Sequence, residues 1–444
     1  KSWASWASHS VLPIEAEPAM FSRLASRTFK HAVRRPSNLR ATAVLNQHVP
    51  DRLLSGRQQQ PAAMTFSTAP LKIENNMFCR QCEQTADGVG CTTQGICGKT
   101  AETAALQDAL IESIKSVATW CVQARKEGTT EADLQEANIW TLQAAFSTLT
   151  NVNFSDHRIM EFIKQGQEIR KKLQTKVKSP PTAPIAQLDL SGMSEEELEE
   201  YGHSVSIPKR VEAMGNADAH SLNEIATYSL KGMCAYAAHC HALGTMDDNV
   251  SAVVHDTFAK LASSEPDVDG LLAAVLKVGE TNATVLGMLD AAHAEQFGEP
   301  EPTEVRMTAV EGKAILISGH DMMDLYELLK QTEGTGVNVY THGEMLPGHS
   351  YPKLKAFKHL VGNYGTAWQN QKFEFAQFPG PVVVTTNCVL NPRRAYRDRL
   401  YTMNEVGVEG VQHIKDRDFS GVIEQAQHMK GFKMTIEPSR THTV

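Results

Sequence analysis

The chain has 444 residues, 41% of them hydrophobic, and a formal net charge of −8. That length supports two or three domains with cores of their own. No run of about 18 apolar residues occurs, which predicts no transmembrane helix, and eight cysteines are too few for a secreted disulfide scaffold.

The charge is unevenly spread. Residues 1–72 carry ten Lys/Arg against three Asp/Glu, while the remainder carries 33 against 48. The acidic body argues against a nucleic-acid partner. From Met20 the leader reads MFSRLASRTFKHAVRRPSNLRATAVL, with no acid before Asp51. Arg, Ser and small apolar residues without acids are the composition of a transit peptide for a mitochondrion or chloroplast. A generic basic tail would share it. Residues 1–72 are therefore expected to be a disordered leader outside the fold.

Next comes CRQCEQTADGVGCTTQGIC, which places Cys79, Cys82, Cys91 and Cys97 within nineteen residues. Four thiols at C-x2-C-x8-C-x5-C favour metal binding over stapling. Thiolate is a soft ligand, and a tetrahedral S4 set suits an iron–sulfur cluster or zinc. Zinc sites more often show two paired CxxC knuckles, and only one pair is present here. Spacing thus ranks a cluster first, zinc second and disulfides last. Gly88, Gly90, Gly95 and Gly98 let the loop wrap an inorganic core with its N–H groups turned inward.

From about Thr100 to Phe297 the pattern is helical. Leu106, Leu110, Ile114, Val117 and Cys121 recur at three and four residues. Further helices are predicted over 132–149, 156–175, 218–243, 249–263 and 268–296. KSPPTAP at 178–184 breaks the series, and Ser194 with Glu197 then forms a capping box. Cys121, Cys234 and Cys240 read as core thiols, and His239 and His241 as helical core or surface residues. Trp368 reads as a packing residue or loop anchor.

After residue 300 short β-rich runs appear: AILIS (314–318), VNVYT (337–341) and VVVTT (382–386). Alternation with helical segments predicts a mostly parallel sheet covered on both faces. The expected fold class is α plus α/β, helical bundles followed by a Rossmann-like α/β domain. The boundaries are 73–299 for the helical domain, 300–432 for the α/β domain, and 433–444 for a tail. His320, Glu344 and Cys388 each follow one of the three strands. Open α/β sheets place ligand sites beyond those ends. A mixed N/O/S set suits iron and leaves room for an exogenous ligand. Singly, the three read as a turn histidine, a solvated loop acid and a small buried thiol. The chain shows no convincing Ser-His-Asp constellation, phosphate loop or dinucleotide fingerprint.

With these residues in hand, the chain resembles the hybrid cluster protein, or prismane protein, family of hydroxylamine reductases. MFCRQCEQTADGVGC resembles the branch holding an N-terminal [4Fe–4S] cluster. ISGHDMMDL, YTHGEMLPGHSYP, GNYGTAWQNQ and VVVTTNCVLNP resemble the family's middle domain. The resemblance extends to about residue 430. It implies that Cys79, Cys82, Cys91 and Cys97 hold the [4Fe–4S] cluster. It also implies that His320, Glu344 and Cys388 are catalytic ligands of a hybrid [4Fe-2O-2S] cluster. Further cysteines, a glutamate and a lysine of a C-terminal domain would complete that set. No cysteine follows Cys388, so the third domain is expected to be absent and the tail unmatched.

The implied reaction takes hydroxylamine, two electrons and two protons to ammonia and water. Nitric oxide reduction at the same cluster is the alternative. No side chain supplies electrons, so a metal cofactor must carry either reaction. The electron donor would be a ferredoxin or an NAD(P)H-dependent reductase. Neither nucleic acid nor membrane is expected as a partner, and the cytoplasm is the family default location. A catalytically inert [4Fe–4S] electron-transfer or binding module is the reading from a different class.

Overall fold

The computed structural model describes residues 77–82, 85–438 and 441–444. The leader read as a transit peptide lies outside them. After the cysteine loop the chain forms eight helices: α1 (Ala101–Lys126), α2 (Glu131–Ser147), α3 (Asp156–Lys176), α4 (Glu195–Ser204), α5 (Ile207–Met214), α6 (Ala217–Ala242), α7 (Asp248–Leu261) and α8 (Val268–Phe297). Most begin on a side chain that satisfies an orphan backbone N–H. Thr100, Thr130, Ser155, Ser194, Asn216, Asp247 and Asp267 all accept in this way. Each such cap stabilises its helix by about 1 kcal/mol. Ser194 and Glu197 complete the reciprocal capping box.

Helix α1 is the axle of the bundle. Leu106, Leu110, Ile114, Val117 and Cys121 are fully buried among residues of α2, α3, α6, α7 and α8. Cys234 and Cys240 lie in the same core. Burial pushes the thiol of Cys121 up to about 12 and that of Cys240 up to about 11, so both behave as small apolar groups. The sequence predicts no transmembrane helix; among the described residues α8 is nevertheless long and apolar enough to cross a membrane, by length and composition only. The sequence conceals this because Lys277 and Glu280, which pair at 2.8 Å, interrupt any unbroken apolar run. In the fold α8 packs along α6 and α7 and contributes Leu271, Val278 and Val285 to the bundle core.

The second half is a six-stranded sheet: β1 (Lys313–Ser318), β2 (Val337–His342), β3 (Leu360–Asn363), β4 (Val382–Val384), β5 (Leu400–Met403) and β6 (Gln412–Ile414). Every neighbouring pair is parallel, in the order β3-β2-β1-β4-β5-β6. That is the doubly wound order. Side chains alternate between two apolar layers. Ile315, Ile317, Val339 and Val383 face α9 (Met322–Thr332), α11 (Ser420–His428) and Phe297 at the end of α8. Ala314, Leu316, Val382 and Val384 face α10 (Gln371–Gln377) together with Phe146 of α2 and Ala235 of α6. The helical half thus covers part of the second face directly.

The last residues are built into this architecture. His442–Thr443 pair antiparallel with Glu304–Val305, and Thr303 and Val444 exchange backbone hydrogen bonds at 3.0 Å.

Candidate metal centres

In a doubly wound sheet the strand order reverses between β1 and β4, and the crevice beyond their carboxyl ends is the natural ligand site. His320 lies two residues past β1, Glu344 two past β2 and Cys388 four past β4. The fold converges them. One ligand atom from each residue lies within 4.8 Å of the other two. His320 Nε2 and Glu344 Oε2 share a hydrogen bond at 2.5 Å, and the Cys388 thiol donates to the same carboxylate oxygen at 3.5 Å. Among the described residues this is the one set of three His, Cys, Asp or Glu donors so closely grouped.

Local backbone fixes the three. Gly319 turns the chain after β1 at φ 119°. A Cβ there would meet Thr385 Oγ1 at 2.4 Å and the Thr386 amide nitrogen at 2.9 Å. Thr386 in turn accepts from the His320 amide at 2.9 Å and lies 3.4 Å from His320 Nδ1. Cys388 adopts φ 70°, unusual for a side chain with a Cβ. Gln371 of α10 holds that conformation from both sides. Its amide donates to the Cys388 carbonyl, and its Oε1 accepts from the Leu390 amide at 2.9 Å. A strained residue clamped in this way is a feature of functional sites.

Charge at the site is divided between ligands. The hydrogen bond from His320 holds the Glu344 carboxyl below its usual range, against the effect of burial. Burial, then the neighbouring Glu344 charge, pushes the Cys388 thiol far up. Cys388 is 7% exposed, whereas the side chains of His320 and Glu344 are 31% and 56% exposed. The centre therefore has a dry sulfur floor and a wet N/O rim. That donor set fits a soft or borderline metal with an open side toward solvent.

Behind His320 lies a cavity of about 470 Å³, lined by His239, Asp321, Thr386, Asn404, Glu405 and Arg417 among others. His239 of α6 reaches Asp321 at 3.6 Å. The sequence alone read His239 as core or surface, because Asp321 is 82 positions away and nothing local links them. Asn404, Asp416 and Arg417 also have positive φ. With Cys388 they put four of the five such non-glycine residues among those described at the carboxyl ends of β4, β5 and β6.

The cysteine loop forms a second, separate cradle. Cys79 and Cys91 exchange backbone hydrogen bonds at 3.0 and 2.8 Å across a short antiparallel bridge. Cys82 opens the turn, its carbonyl accepting from Thr85 N at 3.1 Å. Cys97 follows the turn at Gly95, where a Cβ would press on its sulfur at 3.0 Å. Burial pushes the Cys97 thiol up while Lys99 pulls against it. Sulfurs on one tetrahedral zinc lie about 3.8 Å apart, given a Zn–S bond of about 2.3 Å. Among the described residues, no three of these cysteines gather their sulfurs within 4.8 Å. Four thiol donors on one loop are a soft set that suits an iron–sulfur cluster or zinc.

The model of the Prismane/CO dehydrogenase family matches residues 77–441. Proteins named hydroxylamine reductase from Salmonella paratyphi C (strain RKS4594) and Escherichia coli (strain SMS-3-5 / SECEC) are each 45% identical over 372 residues. The match covers 82% of this chain and 67% of each relative, so the chain spans about two thirds of their length. Carbon Monoxide Dehydrogenase IV from Carboxydothermus hydrogenoformans aligns with a TM-score of 0.34 at 15% identity, covering 83% of this chain and 57% of that one.

Proposed function

The chain belongs to the Prismane/CO dehydrogenase family, and from that premise we propose that it serves an iron–sulfur oxidoreductase that reduces hydroxylamine to ammonia and water. Cys79, Cys82, Cys91 and Cys97 are assigned to a [4Fe–4S] cluster. His320, Glu344 and Cys388 are assigned to one side of a second, substrate-binding iron centre. The observation that carries the reading is the convergence of a nitrogen, an oxygen and a sulfur donor at the strand-order reversal. When bound at these two places, iron–sulfur groups supply one-electron transfer and an open iron position for the N–O bond.

The protein's own part is positioning and charge. Thr386 orients the His320 ring, and Gln371 holds the Cys388 backbone in its strained form. A metal bound here would take the place of the Cys388 thiol proton and of the hydrogen bond that His320 Nε2 shares with Glu344. The exposed rim gives the thiol proton a way out. The same open side gives a small polar substrate a way in. The electron donor is assigned as a ferredoxin or an NAD(P)H-dependent reductase. Import into an organelle is assigned to the basic leader.

The test is anaerobic production followed by iron and sulfide quantitation, EPR, and hydroxylamine-dependent oxidation of a reduced dye. The reading expects iron with sulfide, and a Glu344→Gln variant that keeps the cysteine-held cluster signal but loses turnover at least tenfold. Uptake of zinc without iron would sink it.

A further inference from the structure

The cysteine loop rests on a buried group of charges that the proposed reaction does not use. Lys99, two residues past Cys97, is 3% exposed, and Lys231 of α6 is 5% exposed. Both line a cavity of about 20 Å³ with Cys79, Gln107 and Glu224. Such a volume has room for about one water molecule.

Lys99 Nζ lies 4.0 Å from Cys79 Sγ, and its hydrogen-bond acceptor is the neutral amide of Gln107 at 2.6 Å. Lys231 Nζ lies 5.8 Å over the ring of Tyr228. The two carboxylates nearby are engaged elsewhere. Arg210 takes Glu224 at 2.9 Å and Asp108 at 3.5 Å. Among the residues that line the cavity, three buried or half-buried cations therefore face two anions. A buried ammonium is stable when an opposite charge accompanies it. The surplus lies against Cys79, on the side where thiolates would carry negative charge. Burial, then Lys99, pulls Lys231 down to about 8, with Asp108, Glu224 and Cys79 acting the other way. The protein's own anions thus compensate the pair only in part.

We propose that Lys99 and Lys231 form a cationic clamp that compensates the negative charge of the group held by the four cysteines and sets its reduction potential. The inference rests on the assignment of an iron–sulfur cluster to that loop. Reduction adds one electron from a low-potential one-electron donor and makes the cluster more negative by one charge. No bond forms or breaks, and no proton need move. A nearby fixed positive charge stabilises the reduced form more than the oxidised form, so removing it lowers the potential. The clamp is supplied by two elements, the loop and α6, so it also ties the potential to the packing between them.

The experiment is an EPR-monitored redox titration of the anaerobically purified chain, with dithionite as reductant and iron and sulfide measured on the same samples. Lys99→Met and Lys231→Met are each expected to shift the midpoint to lower potential, Lys99 by more, and the double variant furthest. Lys99→Arg should restore the potential. Lys277→Met, which removes an exposed lysine paired with Glu280 on α8, should leave it unchanged. Full cluster content with unchanged potentials in both lysine variants overturns the clamp and leaves the cluster assignment standing. Absence of iron from wild type and variants alike overturns the cluster assignment, and the clamp with it. If Lys99→Met does not fold, Lys231→Gln decides between the same two outcomes.

Discussion

Replacing Gly319 with alanine tests how His320 is held. The residue sits at φ 119°, where a side chain is strained. Such a conformation costs about 1–3 kcal/mol for a residue with a Cβ. The new methyl would also meet Thr385 Oγ1 at 2.4 Å and the Thr386 backbone nitrogen at 2.9 Å. A hydroxyl can rotate away, but the backbone of a strand end cannot, and overpacking of this kind costs about 1–3 kcal/mol. Together these give about 2–6 kcal/mol. At about 2.1 cal/mol/K per residue over roughly 360 residues, the unfolding entropy is about 0.8 kcal/mol/K. The melting temperature should therefore fall by about 3–8 °C. Relief of the clash would push the Thr386 hydroxyl off the His320 amide, so metal affinity should fall by about 10- to 100-fold. The assays are anaerobic calorimetry and a cobalt(II) titration followed at the sulfur-to-metal absorption band. A melting point within 1 °C of wild type and an unchanged cobalt affinity would together refute the role given to this turn. A lower melting point with unchanged affinity would refute only the link to His320.

Two further outcomes follow from buried charges. Arg399, 8% exposed, donates to the carbonyls of Gly380 at 2.5 Å, Phe375 at 2.6 Å and Ala376 at 3.3 Å. Arg399→Ala leaves those acceptors without their donor and should destabilise by about 3–5 kcal/mol. Arg399→Lys cannot span them and should recover less than half of the loss in a denaturant titration. His255 is fully buried, with Arg125 at 2.9 Å from Nδ1 and Thr141 at 2.9 Å from Nε2. Burial, then Arg125, lowers it to about 3. Unfolded, it titrates near 6.5. Its contribution is therefore complete above about pH 6.5 and is lost as the pH falls toward 3, because the unfolded chain binds the extra proton. His255→Gln should flatten the stability profile across that window; an identical slope in the variant would contradict this.

Local periodicity made the long helices legible. The expected 218–243 and 249–263 became Ala217–Ala242 and Asp248–Leu261, because apolar spacing and a capping residue agreed at each start. The three strands with short β-rich runs were visible as well. β3, β5 and β6 were not, since four residues around Gly362 or three around His413 carry too little pattern to separate from loop. They are strands because neighbouring strands offer them ladder partners. His320, Glu344 and Cys388 could be singled out by their place after strands. Their supports could not. Thr386, Gln371 and His239 act through contacts that cross 17 to 82 positions, and the left-handed conformation of Cys388 leaves no mark in an Asn-Cys-Val stretch. The apolar length of α8 was missed because its charges break the run without lowering the average enough.

The spacing of ligands along the chain also orders how the two centres can come into being. The four cysteines span nineteen residues and close through a bridge between positions 79 and 91. Closing so short a loop takes little entropy, so this cradle can gather its ligands while most of the chain is still unfolded. The other three donors span 69 residues and meet only after parallel strands have aligned on either side of β1. Non-local pairing of this kind is slow. During synthesis the cysteine loop leaves the ribosome with its ligand set complete, whereas Glu344 and His320 must wait for Cys388. On the proposed assignment, iron delivered early would have one destination, and the second centre would open for loading only once the sheet exists.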